Sequence, residues 1–131
     1  MDDLYREYIL DHYKNPRNYG TLANPDISYE DDNPVCGDRV RIDIKIENGR
    51  IADIRFQGEG CAISQASASI LTEMVKGKPL DEVRQLSKEE LLEQLGISLG
   101  PVRIKCALLG LKVLKAGVYG LRGWPEEEHD A

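Results

Sequence analysis

A chain of 131 residues, 41% hydrophobic and 31% charged, has the size of one domain, buries roughly two-thirds of its unfolded surface, and is excluded from wholesale disorder. Its formal charge of −6 collects in Glu30-Asp31-Asp32 and in Glu126-Glu127-Glu128-His129-Asp130. No basic stripe is left for a phosphate backbone, so no nucleic-acid partner is expected.

Leu4 to Lys14 reads as a short amphipathic helix with Leu4, Tyr8 and Ile9 on one face, stopped by Asn15-Pro16. Asn18 to Pro25 is rich in turn formers and reads as a surface loop. Ile27 to Asp31 is a candidate strand. From Val40 the pattern alternates, with Val40, Ile42, Ile44 and Ile46 pointing one way and Arg41, Asp43, Lys45 and Glu47 the other. Asn48-Gly49 is a strong hairpin signal, and Ala52, Ile54 and Phe56 resume the alternation after it. The predicted sheet is small, three-stranded and antiparallel.

After Cys61 the period becomes helical. Ile63, Ala66, Ile70 and Met74 share a face, while Ala62, Ser64, Ala68 and Ser69 keep the other sides small. Gly77-Lys78-Pro79 ends that helix, and Leu80 and Val83 suit another short one. Ser87-Lys88-Glu89-Glu90 is a capping-box start for a helix carrying Leu91, Leu92 and Leu95. Pro101 opens a last helix through Leu108, Leu111 and Leu114. No linker or repeat marks a second domain, so residues 1–124 are expected to form a single domain and 125–131 a flexible acidic tail. No apolar run approaches the ~20 residues of a membrane span. Met1-Asp2-Asp3-Leu4-Tyr5-Arg6 lacks a secretory pattern, so no membrane partner and a cytoplasmic setting are expected.

Chemistry concentrates at Cys36, Cys61 and Cys106, an odd number that cannot form a complete disulfide set within one chain. Cys36 and Asp38 flank Gly37, whose freedom to turn allows both to face one ion. Cys61 follows Gly58-Glu59-Gly60 and precedes a helix start, where the dipole favours thiolate. Cys106 lies about a turn inside the last helix, with Arg103 and Lys105 as neighbouring cations suited to stabilise an anionic sulfur. Three thiolates and one carboxylate make the four donors of a tetrahedral zinc or iron site. The plainer alternative is that any one cysteine fills core space. His12, beside Tyr13 and with no evident charge partner, reads as a surface or packing histidine. No nucleophile–base–orienter set and no C-x-x-C pair are present.

These residues resemble the IscU/SufU family of iron–sulfur cluster assembly proteins, also found as the N-terminal domain of NifU. The likeness runs from Leu4-Tyr5 through His12-Tyr13-Lys14-Asn15-Pro16-Arg17-Asn18 and Asn33-Pro34-Val35-Cys36-Gly37-Asp38 to Gly58-Glu59-Gly60-Cys61-Ala62-Ile63-Ser64 and Pro101-Val102-Arg103-Ile104-Lys105-Cys106. The resemblance implies an α+β fold with helices packed on one face of the three-stranded sheet. It also implies one exposed site built from Cys36, Asp38, Cys61 and Cys106, binding zinc or iron, or a transient 2Fe–2S cluster. The implied partners are a cysteine desulfurase that supplies persulfide sulfur and apo-proteins that receive the cluster. The implied role is that of a scaffold or sulfur acceptor rather than a turnover enzyme.

Cys106 is the expected sulfur acceptor, with Cys36 as the alternative and Arg103 and Lys105 in support. Lys105 stands where IscU members carry histidine, and Leu99-Gly100-Pro101-Val102-Arg103 departs from their Leu-Pro-Pro-Val-Lys chaperone segment, so Hsp70-type delivery is not expected. Arg103 and Lys105 look like the SufU branch, yet the interval from Cys61 to Cys106 is shorter than SufU proteins usually have. Three readings follow: a cluster scaffold, a zinc-dependent sulfurtransferase that builds no cluster, and a zinc-stabilised interaction domain without sulfur chemistry.

Overall fold

The computed structural model describes residues 2–33, 37–96 and 99–119. Helix α1 spans Asp2–Lys14 and is followed by strands β1 (Ile27–Asn33), β2 (Asp38–Glu47) and β3 (Arg50–Glu59). Helices α2 (Ala62–Val75), α3 (Leu80–Gln85), α4 (Lys88–Leu95) and α5 (Pro101–Tyr119) complete the order. The strands form one antiparallel sheet in the order β1-β2-β3. This is the predicted α+β architecture.

The β2–β3 turn is the Asn48-Gly49 pair. Both residues take positive φ, 55° and 73°, the conformation that matches the twist of a two-residue hairpin. The inward alternation of Val40, Ile42 and Ile44 is observed, and all three are buried. Beyond the turn the expected phase fails at its first position. A register shift between Lys45 and Ile46 pairs Ile46 with Ile51, so Ile51 enters the core and Ala52 faces solvent. Ile54 and Phe56 are buried as expected. Asp43, expected to point outward, is buried. Its carboxylate accepts hydrogen bonds from Ser28 Oγ (2.7 Å), the Leu22 N–H (3.1 Å) and Arg41 Nε (3.0 Å), fastening the 20–24 loop over the sheet.

Helix α2 is the central pillar, with every residue from Ile63 to Thr72 buried. A helix this enclosed must satisfy its polar side chains internally. Ser67 Oγ donates to the Ala107 carbonyl (2.6 Å), and Thr72 Oγ1 donates to the Ser69 carbonyl (2.7 Å). A side chain on Gly110 would meet Ala68 at 3.4 Å, so the small residues let α2 and α5 approach closely and set the two cysteine-bearing segments side by side.

His12 is buried at 1% exposure, the packing alternative of the sequence reading, with polar partners on α2 that the sequence does not reveal. Its Nδ1 lies 2.7 Å from Ser69 Oγ, and its Nε2 lies 3.6 Å from Glu73 Oε1. Ser69 Oγ also accepts the Arg17 N–H (2.9 Å), which pins α1 and the following turn to α2. Burial, with Arg17 nearby, holds the imidazole pKa below its ordinary value, against smaller opposing effects of Glu73 and Asp11. Ile9 is also buried, whereas Tyr8 lies half-exposed instead of in the core, and the Leu4 side chain is outside the description. The capping box at Ser87 is present in both directions, and Gly96 ends α4 in the left-handed conformation.

Candidate metal centre

Asp38, the first residue of β2, is completely buried. Cys61 is the N-cap of α2, immediately after the end of β3, and is exposed. The Asp38 Oδ1 atom accepts the Cys61 N–H at 2.8 Å, and Oδ2 lies 3.8 Å from Cys61 Sγ. The carboxylate therefore stands at the positive end of α2, where free N–H groups and the helix dipole favour a negative charge.

Gly60 makes this approach possible. It takes φ +138°, and a Cβ there would lie 2.7 Å from Asp38 Cγ and closer still to Oδ1. Gly58 is constrained as well, since its Cβ would meet the Arg39 carbonyl at 2.5 Å and the Gln65 amide at 3.0 Å. The glycine spacing seen in the sequence is thus required by close packing of β3 against β2 and α2.

Cys106 faces this pair from α5, with 3% of its surface exposed. One ligand atom each from Asp38, Cys61 and Cys106 lies within 4.8 Å of the others. Donors 2.0–2.3 Å from a tetrahedral zinc stand roughly 3.3–3.8 Å apart, so small side-chain movements bring these three to coordination distance. Two thiolates and a carboxylate suit zinc or iron better than magnesium or calcium. The Cys106 sulfur is disulfide-bonded in this structure, so its ligation belongs to the reduced chain. Cys36 lies outside the described residues. Arg103 and Lys105 occupy exposed positions on the first turns of α5, and among the described residues neither makes an ion pair.

The bracing around Cys61 was not legible in advance. Ser64 Oγ donates to the Cys61 carbonyl (3.3 Å), and Gln65 Nε2 in turn donates to Ser64 Oγ (3.1 Å). Serine and glutamine inside an apolar-looking helix gave no pattern that marks such a role.

Residues 4–127 match the family model described as the NifU-like N-terminal domain. The chain belongs to this family. It is 42% identical to the zinc-dependent sulfurtransferase SufU of Bacillus subtilis strain 168, an alignment covering 90% of this chain and 91% of that protein. It is also 42% identical to the iron–sulfur cluster assembly scaffold protein IscU of Aquifex aeolicus, covering 90% of this chain and 76% of the relative. A crystal structure from Fervidobacterium islandicum AW-1, described provisionally as an iron–sulfur cluster assembly scaffold for the SUF system, superposes with a TM-score of 0.77. It is 28% identical, and the superposition covers 86% of this chain and 94% of that one. The Bacillus alignment runs to 135 positions although this family member has 131 residues, so the relative carries residues that are missing here. The Aquifex alignment needs only 120.

Proposed function

We propose that this chain accepts sulfur from a cysteine desulfurase and, with electrons from ferrous iron and an external thiol or one-electron reductant that convert persulfide sulfur to sulfide, combines it with iron into a labile 2Fe–2S cluster for apo-proteins. The observation that carries this reading is the convergence of Asp38, Cys61 and Cys106 within 4.8 Å from three separate elements. Cys36, two residues before Asp38, would supply the fourth donor. Residues 1–124 would act as the unit that carries the site and 125–131 as an acidic tail, in a cytoplasmic setting that keeps the thiols reduced.

Sulfur uptake is a balanced exchange. A cysteine thiolate of this chain attacks the outer sulfur of the donor's persulfide, the donor's S–S bond breaks, and the donor cysteine leaves as thiolate. No external oxidant or reductant is consumed in this uptake step. Cys106 is the proposed acceptor, with the Arg103 and Lys105 charges next to it in sequence; its burial means that the start of α5 must open first. Cys61 is exposed and reachable without that movement. Asp38 contributes a hard oxygen to a soft centre, which keeps the cluster releasable.

A second reading is a zinc-dependent sulfurtransferase that hands sulfur on without building a cluster. It is favoured by Arg103 and Lys105 before the last cysteine. Anaerobic incubation with ferrous iron, cysteine and desulfurase, run with and without a thiol reductant, separates the two. A reddish chromophore that transfers to an apo-protein supports the scaffold. Persulfide formation with zinc retained and no chromophore supports the sulfurtransferase. Unmodified cysteines, with unfolding on chelation, would leave only a structural zinc domain.

A further inference from the structure

A cavity of about 360 Å³ opens beside the metal centre, between the end of α1 and the Gly58–Gly60 segment. That is the low end of the range for ligand pockets, about 300–1,000 Å³, and suits one long side chain better than a large cofactor. Two tyrosine rings, Tyr13 and Tyr19, form its aromatic wall and are 44% and 49% exposed. Tyr19 is held edge-on against Phe56, with ring centroids 5.2 Å apart.

The rest of the lining offers hydrogen-bond acceptors. Ser64 spends its hydroxyl proton on the Cys61 carbonyl, so the Gln65 atom facing Ser64 must be the amide nitrogen. The Gln65 Oε1 atom is thereby turned away, and among the described residues it accepts no hydrogen bond. Glu59 is the charged residue of the lining and is exposed. Its cross-strand neighbour Arg39 turns instead to Glu30 (3.2 Å), so Glu59 makes no ion pair among the described residues.

We propose that this cavity receives a lysine or arginine side chain of the protein that donates sulfur, an inference that rests on the sulfur-accepting reading above. A cation satisfies the whole lining at once. It places charge against Glu59, donates to Gln65 Oε1, and lies against the tyrosine faces. An apolar side chain would strip water from Glu59 and Gln65 without replacing their hydrogen bonds, and an anion would be repelled by Glu59. The position matters as well, because Gly60 forms part of the cavity and directly precedes Cys61. A basic residue seated there fixes the partner next to the exposed thiol.

The test measures the affinity of the full chain for its cysteine desulfurase by calorimetry, with bound zinc and circular dichroism as controls for the site and the fold. Glu59→Gln is expected to raise Kd about threefold to tenfold, and Glu59→Lys further. Tyr13→Ala is expected to raise it about threefold, with Tyr13→Phe close to the parent because the ring face is kept. Unchanged binding by Glu59→Lys overturns the proposal. So does a Tyr13→Ala variant that binds like the parent, since a general charge effect alone would then explain the Glu59 variants. A parent chain that binds no desulfurase overturns the sulfur-accepting reading itself, before any substitution is made.

Discussion

Gly60→Ala is the sharpest perturbation of the site that leaves every ligand in place. The new methyl group would sit 2.7 Å from Asp38 Cγ, a distance that real Cβ contacts do not sustain, and the φ of +138° is unfavourable for alanine. The left-handed backbone alone costs about 1–2 kcal/mol. Pushing the carboxylate aside also breaks its hydrogen bond from the Cys61 N–H, and bonds to charged groups contribute about 1.5–3 kcal/mol. The sum of about 2.5–5 kcal/mol is a large part of the roughly 5–15 kcal/mol that holds a domain of this kind together.

Gly77→Ala is the control, because Gly77 has φ +85° and open space around it, so it pays for the backbone and nothing else. Urea unfolding should show Gly60→Ala losing about 1.5–3 kcal/mol more than Gly77→Ala. Competition with a chromophoric chelator should show zinc affinity falling at least about tenfold for Gly60→Ala, equivalent to 1.4 kcal/mol, with no change for Gly77→Ala. Equal stabilities and equal zinc affinities for the two variants would refute the account of Gly60 as the residue that lets Asp38 and Cys61 meet.

Asp38→Ala should give a 2Fe–2S chromophore that persists longer after anaerobic reconstitution; an unchanged or shorter lifetime by visible absorption counts against the carboxylate as the labile ligand. Single Cys61→Ser and Cys106→Ser variants, treated with desulfurase and cysteine and read by mass spectrometry, should locate the acceptor: loss of the +32 Da species (about one sulfur atom) in Cys106→Ser alone supports uptake at the buried thiol. His12, with its pKa lowered in the folded chain, contributes stability that is complete above the unfolded value of about 6.5. That stability declines as pH falls towards the folded pKa, because the unfolded chain takes up a proton first. The denaturation midpoint should drop between pH 7.5 and 5, and His12→Gln should flatten that slope. Asp43→Ala removes acceptors for three elements and should cost about 2–4 kcal/mol, with faster proteolysis in the 20–24 loop as the readout.

What the sequence disclosed follows the range of the physics involved. The Asn48-Gly49 hairpin and the Ser87 capping box are set by neighbouring residues, and the structure shows both; the glycines at 58 and 60 are visible as a local pattern, but what they approach, Asp38 and Arg39, lies on another strand. The phase of β3 departs from the expected alternation at Ala52 because the register shift at Lys45/Ile46 depends on the partner strand, which alternation within one strand cannot report. The partners of His12 are invisible in the sequence for the same reason, since Ser69 lies 57 positions away. The candidate metal centre sits between these cases. Its donors are identifiable one by one from their glycine and helix-start settings, but their meeting depends on the close α2–α5 contact that Ala68 and Gly110 allow. That contact was readable only as small residues on a helix. The cavity beside Cys61 shows the same logic from the other side: its charge comes from what Arg39 does, and Arg39 chooses Glu30 on the far strand over the Glu59 that faces it in register. A residue left unpaired by its neighbours' choices carries no local signature, and here that residue stands two positions before the exposed thiol.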